Sequence, residues 1–182
     1  MCNVTLLIVI VLCIGKIGAQ NASFQDLLYL INTTRTYVYA SSYLTYISGD
    51  ALTCISYLMR YLTPTFLRGE LCYNVGDRGS SREIFGELGN KSNTNEPFMK
   101  PYFWPGVSTT APKYLKYYDN ESHCGVFEIT MDGKRHCELH VRNDSINKKD
   151  PFNILNTSCL TSYNEICEER KPLVILYSDI CD

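Results

Sequence analysis

The sequence lacks an apolar run long enough for a transmembrane helix, because its longest run, residues 4–15, is well short of the roughly 20 residues needed to cross a bilayer. It also lacks an excess of basic residues, with 17 Lys and Arg against 19 Asp and Glu. This balance argues against nucleic acid or an anionic membrane as a partner. No paired C-x₂-C knuckle of a structural zinc site, nucleophile-elbow motif or internal repeat occurs.

The apolar run near the N-terminus is typical of a signal peptide. It is uncharged and is followed by Lys16 and the small residues Gly18 and Ala19. We therefore predict a signal peptide at residues 1–19 and a single secreted, extracellular domain at residues 20–182. Without Lys16 this domain has 16 basic and 19 acidic residues, a net charge of −3.

Cysteines and glycosylation sequons support secretion. Two of the nine cysteines fall within the predicted signal peptide, and seven remain at wide spacings, which in an oxidising compartment predicts disulfides and one odd cysteine. The chain after the predicted signal peptide has six Asn-x-Ser/Thr sequons, where about two are expected by chance. The predicted glycosylation sites are Asn21, Asn32, Asn90, Asn120, Asn143 and Asn156.

Short strand patterns dominate the middle of the chain. A capped helix is predicted near residues 23–31, where Ser23 precedes Asp26 by three positions. Asp132-Gly133 is a strong two-residue hairpin signal. The eight strand candidates, which favour an up-and-down antiparallel barrel, are residues 36–45, 53–63, 66–75, 82–88, 98–104, 113–118, 124–131 and 135–142.

Beyond the strands we expect a polar linker at residues 143–153, a helix at residues 158–170 and a short strand at residues 173–177. The segment 118–124, Cys137-Glu138-Leu139-His140, Cys159-x₃-Tyr163-x₃-Cys167 and Cys181 together resemble the tick salivary lipocalins, the group that includes the tick histamine-binding proteins. Cys54 matches that family's second strand. The resemblance covers about 65 residues at the C-terminal end.

The resemblance implies a mainly β fold: an eight-stranded antiparallel lipocalin-type barrel with a short N-terminal helix and a C-terminal helix packed outside. It also implies three disulfides, which leave Cys72 without a partner. These are Cys54–Cys181, Cys124–Cys159 and Cys137–Cys167.

If Cys137 bonds to the outer helix, the opposite face of its strand looks into the barrel. His136, Glu138 and His140 share that face. A buried Glu138 then needs a cation, a hydrogen-bond network or water. In the histamine binders the matching glutamate contacts the bound amine, so a ligand ammonium is one such cation. A solvated strand-face carboxylate is an equally weighted alternative.

Aromatic walls would assist an amine, because ring faces attract cations. Tyr37, Tyr39 and Tyr43 share one parity and are predicted to line one side of the strand. His140 stands where the family usually has Trp, which argues against histamine itself. Two strand-spaced histidines do not make a metal motif, and we predict neither metal nor cofactor. The full set of predicted ligand-binding residues is Glu138, His140, Tyr37, Tyr39, Tyr43, Trp104, Tyr114 and Tyr118.

Three functions follow as hypotheses. The favoured one is a monomeric salivary lipocalin, not an enzyme, that sequesters a biogenic amine such as histamine or serotonin during blood feeding. The second is carriage of an apolar mediator such as a leukotriene or sterol, with Arg60 or Arg142 available for a carboxylate. The third is binding of a host plasma protein that acts in complement or clotting.

Overall fold

The computed structural model describes residues 22–103, 110–147, 150, 152–167 and 172–181. They form a closed antiparallel barrel of eight strands with one helix at an end and a second on the outer wall, which confirms the predicted fold class. The barrel strands are β1 Thr36–Ser41, β3 Asp50–Leu62, β4 Phe66–Val75, β5 Arg78–Asn90, β6 Pro97–Tyr102, β7 Lys113–Asp119, β8 Cys124–Met131 and β9 Lys134–Arg142.

The barrel closes at β1, which pairs with β9 along one edge and with β3 at the start of its other edge. Two further short strands lie beside this wall. β2 Tyr46–Ile47 folds back on β3, and β10 Val174–Ile175 pairs with the end of β1. All neighbouring strands run antiparallel, as hairpin connections require.

The two largest departures from the predicted strand bounds arise at turns. The strand predicted at residues 36–45 ends at Ser41, and a separate hairpin follows it. The strand predicted at residues 82–88 extends over Arg78–Asn90, because the Gly76 turn lets Val75 pair at once with Arg78. The predicted Asp132-Gly133 hairpin is confirmed, with φ of 50° and 72° at its two residues, the left-handed values that a type I′ turn needs.

The first helix, α1 Phe24–Ile31, begins with the predicted capping box. The Ser23 side chain accepts a hydrogen bond from the Asp26 amide, and the Asp26 carboxylate accepts one from the Ser23 amide. Leu27, Leu30 and Ile31 are completely buried and close one end of the barrel. We call this the closed end, and the other the open end.

The second helix, α2 Ser158–Cys167, packs against the outer wall through two disulfides, Cys124–Cys159 and Cys137–Cys167. A third bond joins Cys54 to Cys181, so all three pairs are those implied by the resemblance. The predicted linker begins with a short 3₁₀ turn at Asn143–Ser145, and a second one, Asn153–Asn156, starts at its last residue. Within the described residues no helix is both long and apolar enough to cross a bilayer.

Candidate functional site

An ion pair lies inside the barrel, on the inner face of β9. Because Cys137 and Leu139 point outward toward α2, the alternation of the strand turns Glu138 and His140 inward. Glu138 is 3% exposed, and its Oε2 lies 2.6 Å from the Nζ atom of Lys113 on β7. Glu138 and His140 therefore face the barrel interior, as predicted, and the cation that neutralises Glu138 is Lys113 of the protein itself.

Two tyrosines complete the surroundings of this pair. The hydroxyl of Tyr43 donates to Oε1 of Glu138, and Lys113 donates to the hydroxyl of Tyr57 at 2.9 Å. The Lys113 ammonium also lies 5.4 Å from the centre of the Tyr57 ring. The carboxylate is thus bonded through both of its oxygens, as a buried carboxylate requires.

His140 lies at the base of this network and is completely buried. Its Nε2 is 2.7 Å from Oε2 of Glu138, while its ring stacks on Tyr57 and meets Phe127 with a centroid distance of 4.4 Å. Nδ1 has no hydrogen-bond partner among the described residues. A neutral ring that donates from Nε2 satisfies this geometry best.

The pKa values of the network follow from burial and charge. Burial alone would raise the pKa of Glu138, but Lys113 and the hydrogen bond to His140 hold it below its usual value. Burial would lower the pKa of Lys113, and Glu138 outweighs that effect and raises it. Burial lowers the pKa of His140. At neutral pH the site therefore holds one ammonium, one carboxylate and one neutral imidazole.

A cavity of about 570 Å³ opens beside the ion pair toward the open end. Its wall is mainly apolar, and its polar groups include the Lys113 ammonium, tyrosine and threonine hydroxyls, and Asp132 at the rim. Its lining consists of Tyr43, Thr45, Tyr57, Leu71, Ile84, Pro101, Tyr102, Phe103, Thr110, Ala111, Lys113, Ile129, Thr130, Met131 and Asp132. A mostly apolar pocket with a few polar groups suits a small organic ligand.

The other half of the interior is filled with hydrocarbon. Side chains from the strands, among them Leu67, Met99 and Leu115, pack with those of α1. Phe127, also fully buried, belongs to the same cluster. In the part of the chain that the structure describes, the cavity thus lies on the open side of the ion pair and the hydrocarbon packing on the closed side.

The predicted tyrosine wall is wrong for Tyr37 and Tyr39. Tyr37 pairs with Val141, whose side chain belongs to the outer cluster. The pairing of β1 with β9 shifts by one residue between Val38 and Ala40, and this bulge keeps Tyr39 on the outer side and changes the parity of the residues that follow. There they pack against Tyr177, with ring centroids 4.9 and 5.7 Å away. Of the three, only Tyr43 lines the cavity.

Other predicted residues also lie away from the cavity. Tyr114 sits on the outer wall against Phe98, and Tyr118 packs on Tyr29 at the closed end. Trp104 lies outside the described residues. Neither predicted arginine borders the cavity: Arg60 pairs with Glu70 on the outer wall, and Arg142 contacts Asp144 and the Tyr29 carbonyl.

Sequence reasoning missed Lys113 and Tyr57. The demand of a buried Glu138 for a cation was a usable signal, but several basic residues could have met it. Lys113 pairs with Ile129 of β8, which pairs with His136 of β9, so its reach to Glu138 depends on the register of three strands.

The predicted glycosylation sites gather at one end of the barrel. Asn32 caps α1, Asn120 lies in the β7–β8 turn, and Asn143 follows β9. Asn90 ends β5, and Asn156 lies just before Ser158, which bonds to Asp119 beside the same turn. These five asparagines lie at or beside the closed end, four of them exposed, and Asn21 lies outside the described residues.

One cluster of potential metal ligands is present in the described residues: Asp119, Cys124 and Cys159. The two sulfur atoms are joined to each other in a disulfide, so neither is a thiolate that could bind a metal. The cluster is explained by the attachment of α2 to the barrel.

The family model of the tick histamine binding protein matches residues 91–182. The fold resembles two solved structures at 13% identity. One, AM182 in complex with serotonin, aligns with a TM-score of 0.58 over 91% of this chain and 94% of that one. The other, Japanin from Rhipicephalus appendiculatus bound to cholesterol, has a TM-score of 0.55 over 82% and 97%. No curated protein matches the sequence.

Proposed function

This chain belongs to the tick histamine binding protein family and is a ligand binder of the tick lipocalin type, and we propose that it is secreted to sequester a small mediator of the host. The ligand occupies the cavity at the open end. We propose that it is an apolar molecule with a carboxylate or another hydrogen-bond acceptor, which meets Lys113. Sequestration is stoichiometric and needs no catalytic step.

Secretion rests on the sequence and on the disulfides. The predicted signal peptide at residues 1–19 leaves a single domain from residue 20, and three disulfides persist only in an oxidising compartment in most organisms. We propose that this domain acts as a monomer. Its predicted glycosylation sites agree with the same route.

The position of Lys113 carries the choice of ligand. Lys113 lines the cavity with a side chain that is 12% exposed, whereas Glu138, its ion-pair partner, is not among the lining residues. In the described residues two of its three N–H donors go to Glu138 and Tyr57. The third donor is available to an acceptor on a ligand whose apolar part contacts Leu71 and Ile84.

A biogenic amine is the second candidate, supported by the family and by the buried carboxylate of Glu138. Glu138 already accepts hydrogen bonds from Lys113 and Tyr43 and contacts His140. An amine entering this cavity meets the like charge of Lys113 and must displace it to reach the carboxylate. This displacement makes the amine less favoured than an acceptor-bearing ligand.

Isothermal titration of the secreted protein with a leukotriene, its methyl ester, cholesterol, histamine and serotonin tests the proposal. We expect the leukotriene to bind more tightly than its ester. Lys113→Met should weaken leukotriene binding at least about tenfold, the value of one charge-assisted hydrogen bond. The matched control is Lys116→Met, because Lys116 lies on the same strand but pairs with Glu96 outside the cavity.

Tighter binding of histamine or serotonin to Lys113→Met than to the wild type would instead support the amine. No heat with any of these molecules, together with capture of a defined plasma protein, would contradict both ligands and favour the protein-binding function.

A further inference from the structure

A second polar recess lies on the outer wall, between β3, β4, β5 and the C-terminal segment. Its volume is about 150 Å³, and it brings together three sulfur atoms. Cys72 is the free cysteine of the described chain, and the disulfide Cys54–Cys181 lines the same recess. A thiol and a disulfide within so small a volume are potential reactants.

Ser56 adds an unused hydrogen-bond donor to this recess. It is fully buried, and its Oγ has no partner among the described residues. Ser56 is also the direct partner of Cys72 in the β3–β4 ladder, so the two side chains share a face and their Cβ atoms lie about 5 Å apart. The hydroxyl can therefore donate to a thiolate on Cys72.

The other reactant, Cys181, has donors of its own. The Ser178 amide donates to Cys181 Sγ at 3.1 Å, and the Ser178 hydroxyl lies 3.6 Å from the same atom. Hydrogen bonds to a sulfur atom stabilise it as a thiolate leaving group. Cys54 lies at a bulge in β3, opposite β4 residues 72–74.

We propose that this recess is a site of internal thiol–disulfide exchange, in which Cys72 displaces Cys181 from Cys54. The Cys72 thiolate attacks Cys54 Sγ, a Cys54–Cys72 bond forms, and the Cys54–Cys181 bond breaks. The electron pair of the broken bond leaves on Cys181, which takes up a proton. The three cysteines of the recess contain one disulfide and one thiol both before and after the exchange, so no external oxidant or reductant is needed.

The exchange changes how the C-terminal segment is held. In the starting form the chain end is bonded to β3, and the Tyr37 hydroxyl donates to the Cys181 carbonyl at 2.6 Å. In the product only hydrogen bonds and packing hold this end, and β10 keeps two pairs with β1. The exchanged form therefore has a C-terminus that opens more readily.

The rate should depend on pH, because only the thiolate attacks. Burial raises the pKa of Cys72, Arg35 and Arg60 oppose this effect, and Glu70 adds to it. Below that pKa the thiolate fraction rises about tenfold per pH unit. Exchange should therefore be slow at neutral pH and faster in mild alkali.

Disulfide mapping of the secreted, fully oxidised protein tests the proposal. The protein is incubated without added thiol at pH 7.5 and 8.5, quenched in acid, alkylated and digested. We expect alkylation to move from Cys72 to Cys181 and a Cys54–Cys72 peptide to appear, about tenfold faster at the higher pH. Ser56→Ala should slow this exchange about fivefold, the effect of one lost hydrogen bond to the thiolate.

Cys72→Ser is the matched control: it should keep Cys54–Cys181 intact and bind ligand in the main cavity as the wild type does. Complete alkylation of Cys72 with no free Cys181 after prolonged incubation overturns the proposal. So does loss of Cys54–Cys181 at the same rate in Cys72→Ser. Either result is independent of ligand titrations at Lys113.

Discussion

Removing Lys113 should destabilise the barrel, because it leaves the buried carboxylate of Glu138 without its cation. The Nζ–Oε2 distance of 2.6 Å corresponds to an attraction of about 6 kcal/mol at an effective dielectric constant near 20, most of which offsets the cost of burying both charges. Lys113→Met removes the ammonium from a carboxyl group that is only 3% exposed in the wild type, so that burial then raises the pKa of Glu138. We expect the free energy of unfolding to fall by about 3–5 kcal/mol.

A double-mutant cycle with Glu138→Gln isolates the pair. The one oxygen of glutamine can still accept from His140, and its NH2 group can donate to the hydroxyl of Tyr43, so the cycle mainly removes charge. The double variant should be at least about 2 kcal/mol more stable than the sum of the single losses predicts. Urea unfolding at pH 7.5 with the disulfides intact, followed by circular dichroism, measures these energies.

The matched control is the exposed pair Arg60–Glu70, whose N–O distance is 2.9 Å and whose arginine side chain is 60% exposed. Its coupling should be below about 1 kcal/mol because solvent screens it. A coupling energy near zero for Lys113 and Glu138, or a larger one for the exposed pair, would refute the reasoning about burial.

The remaining predictions concern pH, packing and a disulfide. Because the pKa of His140 is lowered in the folded protein, the unfolded chain binds more protons than the folded one as the pH falls through 6.5. The free energy of unfolding, measured in urea, should therefore decrease toward pH 5 by up to about 1.4 kcal/mol per pH unit. His140→Gln should flatten this decrease, and an unchanged slope in that variant would contradict the assignment to His140. Gly69→Ala places a Cβ 2.4 Å from the Leu58 carbonyl oxygen, a backbone atom that cannot rotate away, and should lower the melting temperature; a wild-type melting temperature would show that the strands separate freely. Replacing both Cys54 and Cys181 by alanine removes a link across 127 residues and should cost about 5 kcal/mol in urea unfolding, whereas a loss below about 1 kcal/mol would show that the unfolded chain is not restrained by it.

The sequence sufficed for the barrel and for the inward face of β9. Alternation is reliable there because one residue, Cys137, has a fixed outward partner, and every neighbour follows from it. Alternation failed on β1, where the extra residue at Tyr39 reverses the faces and no glycine or proline marks the bulge. The partner of Glu138 was beyond prediction for a related reason: pairing across β7, β8 and β9 includes a second shift, between Leu115 and Tyr117.

The one-sided placement of the sequons has an immunological consequence. Sugars attached at Asn32, Asn90, Asn120, Asn143 and Asn156 would cover the closed end of the barrel and leave the polypeptide at the open end uncovered. The apolar residues Leu44, Tyr46 and Ile47 are exposed at this open end. Antibodies raised by a host against the peptide surface would then be directed to the entrance, where their binding also blocks the passage of ligand.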